Sequence, residues 1–127
     1  MIPGLILIAD DDQDFVDMLA ARFESLGYRV LTAKDGDVAL HAFDRERPGL
    51  VLLDIHMPNV DGLFVLREMR EIEPEARVIV MTGLPTSKSA ALMIEEGACD
   101  FLVKPFDFST VENSVSVNML FVDAGTI

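Results

Sequence analysis

The chain has 127 residues, 50% of them hydrophobic, and a formal net charge of −12. This length suits one domain, and the acidic balance (pI ≈ 4.3) argues against nucleic-acid binding, which needs clustered Lys and Arg. The single cysteine excludes an internal disulfide, and no apolar run reaches the roughly 18 residues of a membrane helix, so we expect a cytoplasmic protein without a membrane segment.

Apolar runs typical of strands alternate with amphipathic segments along the chain, which is the βαβ pattern of a parallel sheet. The first run, residues 5–9, is apolar at every position, as expected for a strand covered by helices on both faces. The next segment has apolar residues at helical spacing and stops before Gly27, a residue type that often ends helices. The predicted strands are residues 5–9, 28–33, 50–54, 77–82 and 100–104. The predicted helices are residues 15–26, 37–45, 62–74, 87–96 and 109–121, with a turn at Pro48 and Gly49.

Acidic side chains stand where two of the predicted strands end. Asp10, Asp11 and Asp12 follow the first strand, and Asp54 closes the third. Ligands of open α/β sheets bind at the carboxyl ends of the strands, so neighbouring strands would bring these carboxylates to one site. An acid at the end of a buried strand destabilises the fold unless it is paired or ligated. We interpret Asp12 as a helix cap and the other three as a candidate site.

Four motifs occur in a fixed order along the chain. They are the acidic pair Asp10 and Asp11, the strand-ending Asp54, the hydroxyl of Thr82, and Lys104 followed by Pro105. With these motifs and its βα units, the chain resembles the receiver domain of two-component response regulators over nearly its whole length. The resemblance implies an α/β fold with a single doubly wound, flavodoxin-like sheet of five parallel strands, in the order 2-1-3-4-5, and five helices. We assign residues 1–122 to this domain and residues 123–127 to a tail or the start of a linker.

The resemblance implies that Asp54 accepts a phosphoryl group from a sensor histidine kinase or a phosphotransfer protein. A carboxylate can form an acyl phosphate, and Mg²⁺ offsets the negative charges that meet during its formation. Mn²⁺ is an alternative ion, whereas hard oxygen donors disfavour zinc. The implied metal ligands are Asp11 and Asp54, Asp10 through bound water, and the backbone carbonyl of His56. Lys104 and Thr82 are expected to contact the phosphoryl oxygens.

The resemblance assigns the signalling switch to Thr82 and to an aromatic residue, here Phe101, that rotates inward when the threonine moves. Phe101 lacks a hydroxyl, so we expect a switch that an output domain or effector detects through apolar packing. That partner would bind the face formed by helix four, strand five and helix five. A plain core role for Phe101 is an equal alternative. The family usually has a cis bond before the residue matched by Pro105, and we hypothesise that the His56 imidazole tunes phosphate hydrolysis.

The last predicted helix departs from many DNA-binding relatives in the family, which use basic residues there for salt bridges across a dimer. No Arg or Lys follows Lys104, which argues against that interface. Residues 119–122 are apolar, consistent with a buried end, a partner surface or the start of a connection to further chain.

The sequence favours a signalling domain that catalyses only its own phosphorylation and dephosphorylation and is not otherwise an enzyme. One alternative is a pseudo-receiver that binds partners without phosphorylation, although the complete acidic set and Lys104 argue against it. A second alternative is an Mg²⁺-dependent phosphatase with an aspartyl nucleophile. The common haloacid-dehalogenase pattern has a second Asp two residues after the nucleophile, where this chain has His56.

Overall fold

Strands and helices alternate along the chain in a computed structural model that describes residues 1–58 and 60–124. The elements are β1 (Ile2–Ala9), α1 (Gln13–Ser25), β2 (Arg29–Ala33), α2 (Gly36–Glu46), β3 (Pro48–Asp54), α3 (Gly62–Ile72), β4 (Val78–Thr82), α4 (Ser87–Glu95), β5 (Asp100–Val103) and α5 (Phe108–Ala124). Every predicted strand and helix therefore has its counterpart in the structure.

The five strands form one parallel sheet in the order β2-β1-β3-β4-β5. This order confirms the predicted doubly wound topology. Ala9 at the end of β1 pairs with Leu53 of β3, so Asp10 and Asp54 are the next residues on two neighbouring strands. β4 lies on the other side of β3, where Asp54 pairs with Met81.

Hydrophobic layers cover both faces of the sheet. In β1, Leu7 and Ala9 pack into one layer with residues of α2 and α3, whereas Ile6 and Ile8 pack into the other with residues of α1 and α5. Successive side chains of a strand point to opposite faces, so a strand between two helical layers must be apolar at every position. The continuous apolar runs of the sequence therefore reflect burial on both sides.

β3 starts earlier than the sequence suggested. Pro48 and Gly49 belong to the strand and do not form the predicted turn. Proline is compatible with the first position of a strand, and Pro48 pairs there with Ile2. A Cβ on Gly49 would lie 2.6 Å from the carbonyl oxygen of Ile2, so glycine allows the start of β1 to come close. Pairing with β1 thus decides the conformation of these two residues.

The apolar segment near the end of α5 divides between the core and the surface. Met119 and Val122 are buried in the layer shared with α1, whereas Leu120 and Phe121 are exposed. Part of the segment is therefore a buried helix end, which is one of the three interpretations that the sequence left open for residues 119–122. α5 continues to Ala124, past the boundary predicted at residue 122, and residues 125–127 of the predicted tail lie outside the described residues. Among the helices that the structure describes, none combines the length and apolar character needed to cross a bilayer.

Candidate functional site

Three carboxylates meet at the carboxyl end of the sheet. Asp10 and Asp54 are 2% and 5% exposed, respectively, whereas Asp11 is exposed to solvent. One side-chain oxygen from each residue lies within 4.8 Å of the other two. The structure thus brings together the three acids that the sequence proposed as metal ligands.

Backbone N–H groups orient the two buried carboxylates. The N–H of Asp12 donates to Asp10 Oδ1 over 2.9 Å, and the N–H of His56 donates to Asp54 Oδ1 over 2.9 Å. The Asp12 side chain in turn caps α1 by accepting from the N–H of Phe15 at 3.2 Å. One oxygen of each buried carboxylate is therefore held by the loop that follows its own strand.

The second oxygens of these carboxylates face the ammonium group of Lys104. Lys104 Nζ lies 2.5 Å from Asp10 Oδ2 and 3.4 Å from Asp54 Oδ2. We expected Lys104 to contact phosphoryl oxygens on Asp54, and its ammonium lies between both acids and closer to Asp10. The sequence alone could not reveal this position, because the path of the lysine side chain depends on how the loop after β5 packs against β1.

The electrostatics of the pair follow from partial burial. Burial raises the pKa of Asp10, and the hydrogen bond from Lys104 opposes this increase. Burial alone would lower the pKa of Lys104, but the hydrogen bond to Asp10 and the charge of Asp54 outweigh it and raise that pKa. Lys104 is therefore an ammonium ion at neutral pH, located between two carboxylates.

Thr82 closes β4 next to this cluster and is fully buried. Its Oγ1 accepts a hydrogen bond from the N–H of Leu84 at 3.0 Å, and its carbonyl accepts one from the N–H of Lys104 at 2.8 Å. Thr82 thus connects the start of the β4–α4 loop with the end of β5. Phe101 pairs with Val80 in the sheet and is half-buried against the layer that α2 and α3 cover.

Aromatic rings border the lysine on the side of α1. The Phe15 ring centroid lies 4.5 Å from Lys104 Nζ, and Phe15 meets Phe106 edge to face at a centroid distance of 5.9 Å. Phe106 follows Pro105, whose bond to Lys104 is cis. In the sequence, Phe15 is one of the apolar residues at helical spacing in α1, a pattern that does not reveal its place beside the lysine.

Gly62, the first residue of α3, packs closely against the loop that precedes it. A Cβ at this position would lie 2.5 Å from Cα and 2.8 Å from the carbonyl oxygen of Ile55. The residue before it, Asp61, caps α3 by accepting from the N–H of Leu63 at 3.0 Å. The start of α3 therefore packs directly on the backbone that follows Asp54.

The donor chemistry of the cluster fits a hard divalent cation. Carboxylate oxygens are the ligands that Mg²⁺ and Mn²⁺ prefer, whereas zinc sites are built mainly from nitrogen and sulfur. Mg²⁺ usually retains several waters and needs only one or two direct carboxylates. An exposed Asp11 beside two buried acids meets that requirement.

Sequence comparison places the chain among known signalling proteins. A family model described as "Response regulator receiver domain" matches residues 6–116. The chain is also similar to the probable transcriptional regulator ycf27 of Galdieria sulphuraria, with 40% identity over 118 residues. The match covers 93% of this chain and 46% of that protein. The chain spans less than half the length of such curated relatives.

Two solved structures share the fold and part of the sequence. The CheX-CheY-BeF3-Mg+2 complex from Borrelia burgdorferi includes a chain 34% identical, with a TM-score of 0.84, and the match covers 90% of this chain and 87% of that chain. A response regulator protein from Burkholderia pseudomallei with a phosphorylated aspartic acid, calcium ion and citrate is 29% identical, with a TM-score of 0.83. That match covers 96% of this chain and 72% of the other. By its motifs, its fold and the family match, the chain belongs to the receiver domains of two-component response regulators.

Proposed function

We propose that this receiver domain is activated by phosphorylation of Asp54. The observation that supports this most strongly is the group of three carboxylates, with oxygens within 4.8 Å of one another, next to the Lys104 ammonium. One carboxylate oxygen of Asp54 forms a bond to phosphorus, while the bond between phosphorus and the imidazole nitrogen of a phosphohistidine breaks. The nitrogen keeps the electron pair. The donor is a sensor histidine kinase or a phosphotransfer protein.

The acidic cluster would hold Mg²⁺, with Mn²⁺ as the alternative. Asp11 and Asp54 would be direct ligands, together with the backbone carbonyl of His56. By the family resemblance, Asp10 would act mainly through bound water. When bound, the ion supplies positive charge against the phosphoryl group and the carboxylates. The Borrelia and Burkholderia structures, which contain Mg+2 and calcium respectively, support a divalent cation.

Lys104 supplies the protein's own positive charge during transfer. Its ammonium lies 3.4 Å from Asp54 Oδ2, within reach of an oxygen on a phosphoryl group attached there. Charge that develops on the phosphoryl oxygens is best stabilised by a group already in place. Removing this cation should therefore slow transfer without preventing Mg²⁺ from binding.

Thr82 would convert phosphorylation into a structural change. Its hydroxyl oxygen already accepts from the N–H of Leu84, and its proton can be donated to a phosphoryl oxygen. Movement of Thr82 would displace the β4–α4 loop. The helix that follows, α4, has one buried side chain, that of Met93, so few core contacts would oppose its movement. Half-buried Phe101 then shifts its packing on the face formed by α4, β5 and α5.

That face is the proposed contact with an output domain or effector. It exposes apolar side chains from all three elements, among them Ile94, Val103 and Val117. Exposed apolar side chains of this kind suit a partner that recognises the switched face by apolar packing. The relative ycf27 is named a probable transcriptional regulator, and more than half of it lies outside the match. We propose that this acidic chain itself does not bind nucleic acid.

The domain would catalyse only its own phosphorylation and dephosphorylation. His56 is exposed, and its backbone N–H already binds the proposed phosphoacceptor. We propose that its imidazole influences the water that hydrolyses the acyl phosphate. A His56→Ala variant should change the pH dependence of the phosphate lifetime, and an unchanged lifetime at every pH would contradict this role.

Beryllofluoride with Mg²⁺, a mimic of the phosphoryl group, tests the proposed switch. We expect amide NMR shifts at Leu84 and Phe101 that are absent from the Asp54→Asn variant. Unperturbed spectra with beryllofluoride would favour the pseudo-receiver alternative. Catalytic release of p-nitrophenol from p-nitrophenyl phosphate would instead favour the phosphatase.

A further inference from the structure

We propose that Phe15 is a positioning residue for Lys104, holding the ammonium over its ring face so that it is ready to meet the phosphoryl group. The inference rests on the proposed function. It extends that function to a residue outside the motif set, whose aromatic ring acts through the lysine and does not touch the reacting atoms.

Three electron-rich groups lie near the Lys104 ammonium. Lys104 Nζ is 2.5 Å from Asp10 Oδ2 and 3.4 Å from Asp54 Oδ2, and 4.5 Å from the centroid of the Phe15 ring. An ammonium has three N–H donors, and cation–π attraction operates within about 6 Å of a ring centroid. Two carboxylates and one ring face therefore lie within interaction distance of the cation.

The ring is itself held in place from two sides. The N–H of Phe15 donates to the capping carboxylate of Asp12, and the next residue, Val16, is buried in the core. The Phe15 ring packs edge to face against Phe106, two residues after Lys104. The first turn of α1 and the loop after β5 thus fix the ring relative to the lysine.

The position of the ammonium explains why a ring face would be useful. Lys104 lies closer to Asp10 than to Asp54, so a small shift toward Asp54 would shorten its contact with a phosphoryl group there. The negative potential of an aromatic face is spread over the ring, so the cation can shift without losing this contact. An aliphatic side chain would fill the space but would not attract the charge.

Substitutions that keep or remove the ring separate this role from simple packing. Phe15→Leu should slow phosphorylation by acetyl phosphate about three- to tenfold, as expected for a cation–π contact, whereas Phe15→Tyr should remain within about twofold of the parent. Phe64→Leu, on the exposed surface of α3, is the matched control and should leave the rate unchanged. The rate is measured by intact-mass spectrometry in saturating Mg²⁺.

A double-mutant cycle tests whether Phe15 acts through the lysine. In a Lys104→Met background, Phe15→Leu should have no further effect on the rate. The proposal is overturned if the loss persists in that background, or if Leu and Tyr at position 15 give equal rates. Urea unfolding of each variant identifies any loss that comes from a partly unfolded protein.

An NMR measurement keeps the geometry testable if the protein accepts no phosphate. Ring currents from Phe15 should shift the Lys104 Hε protons upfield, and Phe15→Leu should abolish that shift. A shift without phosphorylation would mean that the proposed function fails while the placement of the lysine is correct. Equal Lys104 shifts in the parent and in Phe15→Leu would refute the ring contact itself.

Discussion

At the level of single residues, the candidate site depends on hydrogen bonds between close neighbours in the chain. Asp10 is held by the N–H of Asp12, and Asp54 by the N–H of His56. These local bonds occupy one oxygen of each buried acid and leave the other for the lysine. Asp11 lacks such burial and is the carboxylate best placed to bind an ion directly.

Asp11→Asn should remove most of the stabilisation that Mg²⁺ gives the folded protein. A ligand that binds only the native state stabilises it by RT ln(1 + [L]/Kd), about 2.7 kcal/mol at a hundredfold excess over Kd. Thermal unfolding with and without Mg²⁺ measures the effect. Asp14→Asn makes the same charge change on the exposed first turn of α1 and should keep the full Mg²⁺ response. Equal responses in the two variants would exclude Asp11 as a ligand.

Cys99 should be nearly inert toward alkylating reagents in the native protein. Burial is the main cause that raises the pKa of its thiol to about 11. The thiolate is the reactive form, and only a small fraction of the Cys99 thiol is deprotonated at pH 8, so the reaction is slow. Iodoacetamide labelling followed by mass spectrometry should be far slower than for glutathione and should accelerate in urea. A native rate equal to that of glutathione would contradict the assigned burial.

At the level of elements, local sequence signals predicted the existence of each strand and helix but not all of their ends. Apolar periodicity and the capping residue Asp12 identified α1, and its cap is formed as interpreted. Pro48 and Gly49 carried a turn signal, yet pairing with β1 extends β3 over both. Such ends depend on contacts with residues far away in sequence, which a local pattern does not contain.

Gly62→Ala should destabilise the fold by about 1–3 kcal/mol, a typical cost of inserting an atom into a tightly packed region. The added Cβ would collide with the backbone of Ile55, which cannot move aside as a flexible side chain could. Gly83→Ala is the matched control, because its Cβ would meet Lys104 Cβ only at 4.0 Å. Urea denaturation of both variants measures the difference. A change no larger for Gly62 than for Gly83 would show that the approach to Ile55 is not tight.

At the level of the whole molecule, sheet topology unites residues that are widely separated in the chain. β1 and β3 are neighbours, so Asp10 and Asp54 meet, and β4 and β5 add Thr82 and Lys104 at the same edge. The motifs predicted which residues belong together, and the family resemblance implied the strand order that joins them. They could not predict that Lys104 lies closer to Asp10 or that a ring borders it. Both features depend on how α1 and the loop after β5 pack.

The most direct test of the account is intact-mass spectrometry after incubation with acetyl phosphate and Mg²⁺. We expect the parent protein to gain one phosphoryl group only when the metal is present. Asp54→Asn should gain none, whereas the Asp14→Asn control should behave like the parent. A folded protein that gains no phosphoryl group and binds no beryllofluoride, or an adduct that persists in Asp54→Asn, would contradict the assignment of Asp54 as phosphoacceptor.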